Sequence, residues 1–401
     1  MKEAVLIINS GSSSLKFAVL SHAGEKLVMQ GVADRLNSNQ AEITINYAQT
    51  SKKAALVDGS HQAALIQIKQ WLEQKPDILN SLTGVGHRIV HGGERFTDSA
   101  LIDEQAIQQI KACIPLAPLH NPAGLKGIEA CFSLFGHLPQ VAVFDTSFHQ
   151  TLSNVEYLYP IPIRYYRDHG LRKYGFHGTS FRYISRKLTQ LEPESTNSGV
   201  VVAHLGNGAS TCAIFNGQSV DTSMGLTPLE GMMMGTRSGS VDPTLVAAIA
   251  QRDQLNTDDA LTVLSKESGL LGISELSNDC RTLEEAMNAG DERAKLALDM
   301  FCTRAAKNIV SVATSLTTLS HLVFTGGIGE NSNYVRQNIV QNLSILGIQL
   351  DTKENIKCPR GQTHLISPAQ QRTKVWVIPT NEELMIALDT IKLIRQPENV
   401  V

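Results

Sequence analysis

The chain has 401 residues, 35 Lys and Arg against 38 Asp and Glu, and 42% hydrophobic side chains. That is enough for two domains with substantial cores and unlike a disordered, fibrous or collagen-like chain. A formal net charge of −3 without long single-sign blocks argues against a nucleic-acid partner or an anionic membrane surface, and leaves small molecules as partners. Cys113, Cys131, Cys212, Cys280, Cys302 and Cys358 lie far apart with no CxxC pair. They read as buried thiols of a reducing compartment, the cytoplasm by default.

The first predicted element is a strand at 4–9, too short an apolar run for a signal peptide. It breaks into NSGSSSLK at 9–16, where hydroxyls, backbone N–H groups and Lys16 can cradle phosphate oxygens. The spacing is not that of a Walker A loop, and no GxGxxG precedes a helix. Segment 37–62 is polar, carries no motif and reads as variable surface, as does 352–373. A second strand at 85–93 delivers Arg88 and His91. His87 and His91 stand four apart, but without HExxH or a third ligand that spacing is a weak zinc signal. His120 follows, and then a strand at 140–148 ending on Asp145.

The predicted domain boundary falls near Phe148 to Val155, giving 1–148 plus 384–401 as one domain and 149–383 as the other. The second domain opens with His177 in YGFHGTS and a strand with a Gly-rich turn at 199–208. Arg237 lies in MGTRSGS, where apolar chain gives way to small residues, and Arg281 further on. A helix is predicted over Asp291 to Leu316, with Leu296, Met300, Ala306, Ile309 and Val312 on its buried side. HLVFTGGIGEN at 321–331 reads as strand and a third Gly-rich turn, and VWVIPTNEE at 375–383 as a strand delivering Glu382 and Glu383. The last helix, Leu384 to Arg395, is expected to return to the first domain. No run of about 18 uncharged apolar residues indicates a membrane helix. Strand and helix alternate throughout, which is α/β architecture.

Val5 to Val19 lies over Val200 to Ile214 at an offset of 195 residues, aligning Asn9 with His204 and Gly11 with Gly206. Both stretches read strand, Gly/Ser turn, strand. A duplication would set two related domains face to face with paired phosphate-binding hairpins. An ATP-type ligand accounts for all three Gly-rich turns at once. Asp145, Glu330, Glu382 and Glu383 follow apolar strands, so one carboxylate with phosphates and water could hold Mg²⁺; helix capping competes at Asn381 and Glu382.

The motifs INSGSSSLKF, GHRIVHGG, LAPLHNPA, FDTSFHQT, YGFHGTS, HLGNGAS, DTSMGLTPLEGMMMGTRSG, SGLLGISELSNDCR, FTGGIGEN and PTNEE stand in this order between residues 4 and about 390. Together they resemble the acetate kinase family, of the actin, sugar kinase and Hsp70 superfamily. The resemblance implies a duplicated actin/ribonuclease H-like two-domain fold with an interdomain nucleotide cleft, closure around the nucleotide, and a homodimer. It implies Asn9 and Glu382 at a Mg²⁺ site (Mn²⁺ as substitute), and Lys16 with Ser12 and Ser14 on phosphate. His204, Leu205, Gly206, Asn207 and Gly208 would cradle the phosphates of ATP. Asp279, Cys280 and Arg281, with Gly327, Ile328, Gly329, Glu330 and Asn331, would form the adenosine side.

By the same resemblance, Arg88 holds the substrate carboxylate, His177 and Arg237 stabilise the transferring phosphoryl group, and Asp145 matches the catalytic aspartate. Val90, Leu119, Phe176 and Pro228, beside His120, form the pocket for the acid. Val at position 90 resembles the acetate enzymes, whereas propionate kinases carry Ala there. Ser10 and Ser238 depart from the usual pattern without disturbing it.

In-line phosphoryl transfer needs positioning and cations rather than a protein nucleophile. A short fatty acid, with a pKa near that of Glu at about 4.3, is already ionised at pH 7. Asp145 is therefore expected to orient Arg88, the metal or water rather than to take a proton. The expected activity is reversible transfer from ATP to acetate, giving acetyl phosphate and ADP, with propionate as a secondary substrate. A propionate or butyrate kinase is the enzymatic alternative. A non-catalytic nucleotide switch of the same superfamily would keep the Gly-rich turns but need not keep Arg88, His177 and Arg237 together.

Overall fold

A computed structural model of the chain describes residues 3–21, 26–118 and 120–396. It divides into two compact units, Met1–Phe148 with Asn381–Val401, and His149–Thr380. Among the described residues no helix is long and apolar enough to cross a membrane.

The first unit is built on β1 (Ala4–Ser10), β2 (Ser14–Ser21), β3 (Leu27–Asp34), β4 (Glu42–Tyr47), β5 (Thr50–Ala55), β6 (Leu82–Ile89), β7 (Ala100–Leu101) and β8 (Gln140–Phe144). They form one sheet in the order β5-β4-β3-β2-β1-β6-β8-β7. β1 to β5 are an antiparallel meander, β6 and β8 add in parallel, and β7 closes the edge antiparallel to β8.

The period of two along β1 sorts its side chains. Leu6 and Ile8 enter a core with Ala64, Leu65, Ile68 and Leu72 of the helix His61–Glu73 and Cys131 and Phe135 of the helix Asn121–Phe135. Val5 and Ile7 face the opposite core, with Ile386, Ala387 and Ile391 of the helix Glu382–Arg395. That helix packs closely because Gly86 presents no side chain: a Cβ there would sit 2.7 Å from Ile386 Cγ2.

The second unit contains β9 (Val200–Leu205), β10 (Ala209–Phe215), β11 (Gln218–Thr222), β12 (His321–Thr325), β13 (His364–Leu365) and β14 (Lys374–Val377), in the order β11-β10-β9-β12-β14-β13. Every pairing sense repeats the first unit: β9 and β10 antiparallel, β10 and β11 antiparallel, β12 and β14 parallel additions, β13 antiparallel at the edge. The expected duplication is therefore present in the topology, and the two hairpins correspond: Asn9 pairs with Lys16 in one, His204 with Ser210 in the other. β4 and β5 are the first unit's addition.

Four sequence expectations need correction. Segment 37–62 is not merely surface: it supplies β4 and β5, and Ile43 and Ile45 are buried in the first core. In 352–373, Asn355 is fully buried. Leu296, expected on the buried face of the helix Glu292–Ala313, is 52% exposed, while Leu298 and Phe301 take the core positions. GGIGEN is not a turn but the short helix Gly326–Asn331. Gly326, at φ +76°, breaks the strand. The Glu330 carboxylate accepts from the Gly326 N–H at 3.0 Å, and Arg336 donates to the carbonyls of Gly329 and Glu330 at 2.9 and 3.0 Å. Side chains thus satisfy both ends of a helix whose glycines disfavour it.

Candidate active site

In the first unit, β6 and β8 run parallel and end side by side, which brings Arg88 to Asp145. Arg88 Nε donates to Asp145 Oδ1 at 2.9 Å and Nη2 to Oδ2 at 2.6 Å, a planar fork that uses both carboxylate oxygens. Asp145 is 2% exposed. Burial alone lowers the Arg88 pKa, but the Asp145, Glu382 and Glu383 carboxylates outweigh it and hold the guanidinium above its ordinary value. Val90, half-buried, follows β6. The next residue, His91, is fixed by Asn121: its N–H donates to Asn121 Oδ1 at 3.2 Å, and Asn121 Nδ2 donates back to its carbonyl at 2.9 Å. His87, the other half of the zinc-like spacing, bonds Gln140 Oε1 at 2.8 Å. His120 stands before the first turn of the helix Asn121–Phe135, and Leu119 lies outside the described residues.

Asn9, Lys16, Glu382 and Glu383 gather with Ile7, Phe17, Ala18 and Ile386 around a void of about 20 Å³ at the end of β1. Asn381 caps the last helix through the Leu384 N–H at 2.9 Å, which sets Glu382 in its first turn. Burial raises the Glu382 carboxyl above the usual range, with Arg88 and Lys16 opposing and Asp145 and Glu383 reinforcing. A half-buried carboxylate so placed beside the Asn9 amide is a donor set of the type Mg²⁺ uses. Among the described residues no group of three or more His, Cys, Asp or Glu forms a protein cage; Mg²⁺ commonly takes few protein ligands and completes its shell with phosphate and water.

In the second unit, His177 adopts a left-handed backbone, φ +57°, at the head of the helix Gly178–Leu191. Its Nδ1 bonds Ser210 Oγ at 2.8 Å, and its ring stacks on His204 with centroids 4.4 Å apart. His204 Nδ1 bonds Ser180 Oγ at 2.9 Å, which meets Thr380 Oγ1 at 2.8 Å. Arg237 donates to the Pro228 carbonyl at 3.3 Å. A Cβ on Gly208 would lie 3.5 Å from His177 Nε2 and 3.7 Å from Arg237 Nη1, so imidazole, guanidinium and glycine turn converge. Burial lowers the Arg237 pKa, and among the described residues no carboxylate partners it. Phe176 is buried and Pro228 half-buried.

A cleft of about 510 Å³ in this unit is lined by Gly206, Asn207, Asp279, Cys280, Arg281, Gly327, Ile328 and Asn331. Ser12, Ser14 and Lys16 belong to the first unit. Leu205 and Gly329 are buried, and Glu330 turns inward, accepting from the N–H groups of Gly326 and of Thr380 at 3.1 Å. Asp279 caps the helix Cys280–Asn288, and burial pushes the Cys280 thiol up. Sequence reasoning missed Asn278, Glu284, Ser332 and Arg360 on the same cleft, and Ser180 and Ser210 behind the histidines. Ser180 was within reach, since it closes the first turn after His177.

The model of the acetokinase family matches residues 4–388. The chain is 49% identical to an acetate kinase of Chromobacterium violaceum over 98% of its own length and 99% of the relative's. It is also 49% identical to a propionate kinase of Escherichia coli O157:H7, over 97% and 96% respectively. The structure aligns with that of a propionate kinase from Francisella tularensis at a TM-score of 0.92 and 41% identity, covering 97% of this chain and 99% of that one. With the duplicated sheets and collinear motifs already in place, these likenesses make the chain a member of the acetokinase family.

Proposed function

We propose that the chain transfers the γ-phosphoryl group of ATP to the carboxylate of acetate, giving acetyl phosphate and ADP, and catalyses the reverse. The carrying observation is the Arg88–Asp145 fork: the most buried carboxylate of the set has both oxygens occupied by a guanidinium and is not positioned as a proton acceptor. An acceptor that is already ionised needs none.

An acetate oxygen forms its bond to the γ-phosphorus as the bond to the ADP oxygen breaks, and no proton moves. Arg88, with Nη1 outside the fork, orients the acetate carboxylate. His177 and Arg237 receive the charge that spreads over the equatorial oxygens. Lys16, Ser12 and Ser14 with the His204–Gly208 turn bind the phosphates, and the cleft at Asp279–Arg281 and Gly327–Asn331 takes the adenosine. Asn9 and Glu382 would hold Mg²⁺, which would neutralise phosphate charge.

We assign the acid's alkyl group to Val90, Leu119, Phe176 and Pro228. Val90 favours acetate; the similarity to propionate kinases supports propionate as a secondary substrate. A homodimer belongs to the proposal, supported by Val155, Ile161, Ile163 and Tyr165, which stand exposed along one short stretch of the kind association covers. A cytoplasmic setting is supported by the free cysteines.

Trapping the acyl phosphate with hydroxylamine, using ATP, Mg²⁺ and acetate, propionate or butyrate in turn, tests the reading. The expected result is the highest kcat/KM with acetate, and a Val90→Ala variant that shifts the ratio toward propionate by roughly tenfold. No acyl phosphate with any acid would leave a nucleotide-binding protein without this reaction.

A further inference from the structure

The three carbonyls at the tip of the β1–β2 hairpin are all engaged. His61 Nε2–H donates to the Gly11 carbonyl at 2.7 Å, Asn37 Nδ2 to that of Ser12 at 2.9 Å, and the Leu36 N–H to that of Ser13 at 2.9 Å. In a trans peptide the carbonyl and the following N–H point opposite ways, so fixing the Gly11 and Ser12 carbonyls turns the N–H groups of Ser12 and Ser13 away from these anchors. Those two N–H groups donate to no group among the described residues. Successive outward N–H groups make a concavity for an anion, and a carbonyl swinging into it would oppose one.

The anchors are held in turn. Leu36 sits between Arg35 at φ +55° and Asn37 at φ +65°, a left-handed conformation that non-glycine residues rarely adopt. The Asn37 N–H donates to the Gly59 carbonyl at 2.9 Å. Asp58 Oδ1 accepts from Ser60 N–H at 2.8 Å, and Ser60 Oγ caps the next helix through Ala63 at 3.0 Å. That makes His61, 5% exposed, the first residue of its helix. The stretch without motifs thus ends against the phosphate hairpin.

We propose that His61 and Asn37 are positioning residues for the nucleotide phosphates: they hold the hairpin carbonyls back so that the Ser12 and Ser13 N–H groups stay turned to the anion. The inference rests on assigning this hairpin to the phosphates of ATP, and Lys16→Ala tests that assignment separately. Steady-state kinetics and thermal melting of the full-length enzyme compare His61→Ala, His61→Gln, Asn37→Ala and Lys16→Ala. Removing either anchor is expected to raise KM for ATP about fivefold, with KM for acetate within about twofold. His61→Gln, whose amide N–H reaches toward the same carbonyl, restores most of it.

Unchanged KM for ATP in His61→Ala and Asn37→Ala, while Lys16→Ala raises it, overturns the positioning role. So does an equal rise in both KM values. If Lys16→Ala leaves KM for ATP unchanged, the phosphate assignment fails and the inference with it. Should His61→Ala not fold, Asn37→Ala, at an exposed position, decides alone.

Discussion

In the first unit Arg88 meets Asp145 through two hydrogen bonds at 2.6 and 2.9 Å. In the second, the Arg237 guanidinium donates, among the described residues, only to a carbonyl at 3.3 Å and the Met234 sulfur at 3.7 Å. Arg88 lies on β6 and Arg237 in the loop between β11 and the helix Thr244–Asp253; one cation is neutralised in place, and the other, half-buried, has no counter-ion among the described residues. A neutralised guanidinium is a rigid fork suited to orienting a carboxylate that carries its own charge. An uncompensated one keeps its field for charge that arrives later, which is what a transferring phosphoryl group brings. Under the proposed reaction, the difference fits ground-state orientation by the first unit and transition-state stabilisation by the second.

The largest test of that contrast is removal of each arginine. Arg88→Ala strands the Asp145 carboxylate, so it is expected to lower kcat/KM about a thousandfold and to destabilise the first unit by about 3 kcal/mol, seen as a lower midpoint in urea. Arg237→Ala is expected to cost about a hundredfold or more in kcat, with unchanged or raised stability because a half-buried charge with no counter-ion among the described residues is removed. Equal loss of stability in the two variants would erase the contrast.

A smaller effect is expected at Gly235, where a Cβ would collide with the Asn207 Oδ1 that accepts from Asn278 at 2.9 Å. Gly235→Ala should displace Asn207 from the cleft and raise KM for ATP roughly tenfold while leaving KM for acetate alone, since Asn207 is not among the residues assigned to the acid.

The smallest expected difference concerns acid. Burial pushes His87 and His91 in the first unit, and His149 and His321 in the second, down to about 4. The unfolded chain, with histidines near 6.5, binds more protons, so their contribution to stability is present above pH 6.5 and is lost as pH falls toward 4. Urea unfolding across that window should show parallel losses in both units. His87→Gln and His321→Gln should each flatten the slope.

Much of this was legible. All six strands named from apolar runs are present, because fully buried parallel strands read as continuous Val, Ile and Leu. The hairpins at Asn9 and His204 align because Gly and Ser mark a tight turn whatever follows. What escaped depends on tertiary partners. β5 is exposed throughout, so it carries no apolar signal. GGIGEN becomes helical only through Glu330 and Arg336, and Asn355, which accepts from Arg336 at 2.8 Å, looks like any polar loop residue. A place on a motif was not enough to reveal a candidate site residue: Asn278, Ser180 and Ser210 stand in SGLLGISELSNDCR, YGFHGTS and HLGNGAS and escaped. The hydroxyls of Ser180 and Ser210 acquire their meaning from histidines brought to them by the fold.

A double-mutant cycle on Arg88 and Asp145 bears most directly on the claim that Asp145 acts through Arg88 rather than on a proton. If it does, Asp145→Asn lowers kcat/KM in the native enzyme but costs almost nothing more once Arg88→Ala is in place. Additive losses from the two substitutions would contradict the account and give Asp145 a role of its own.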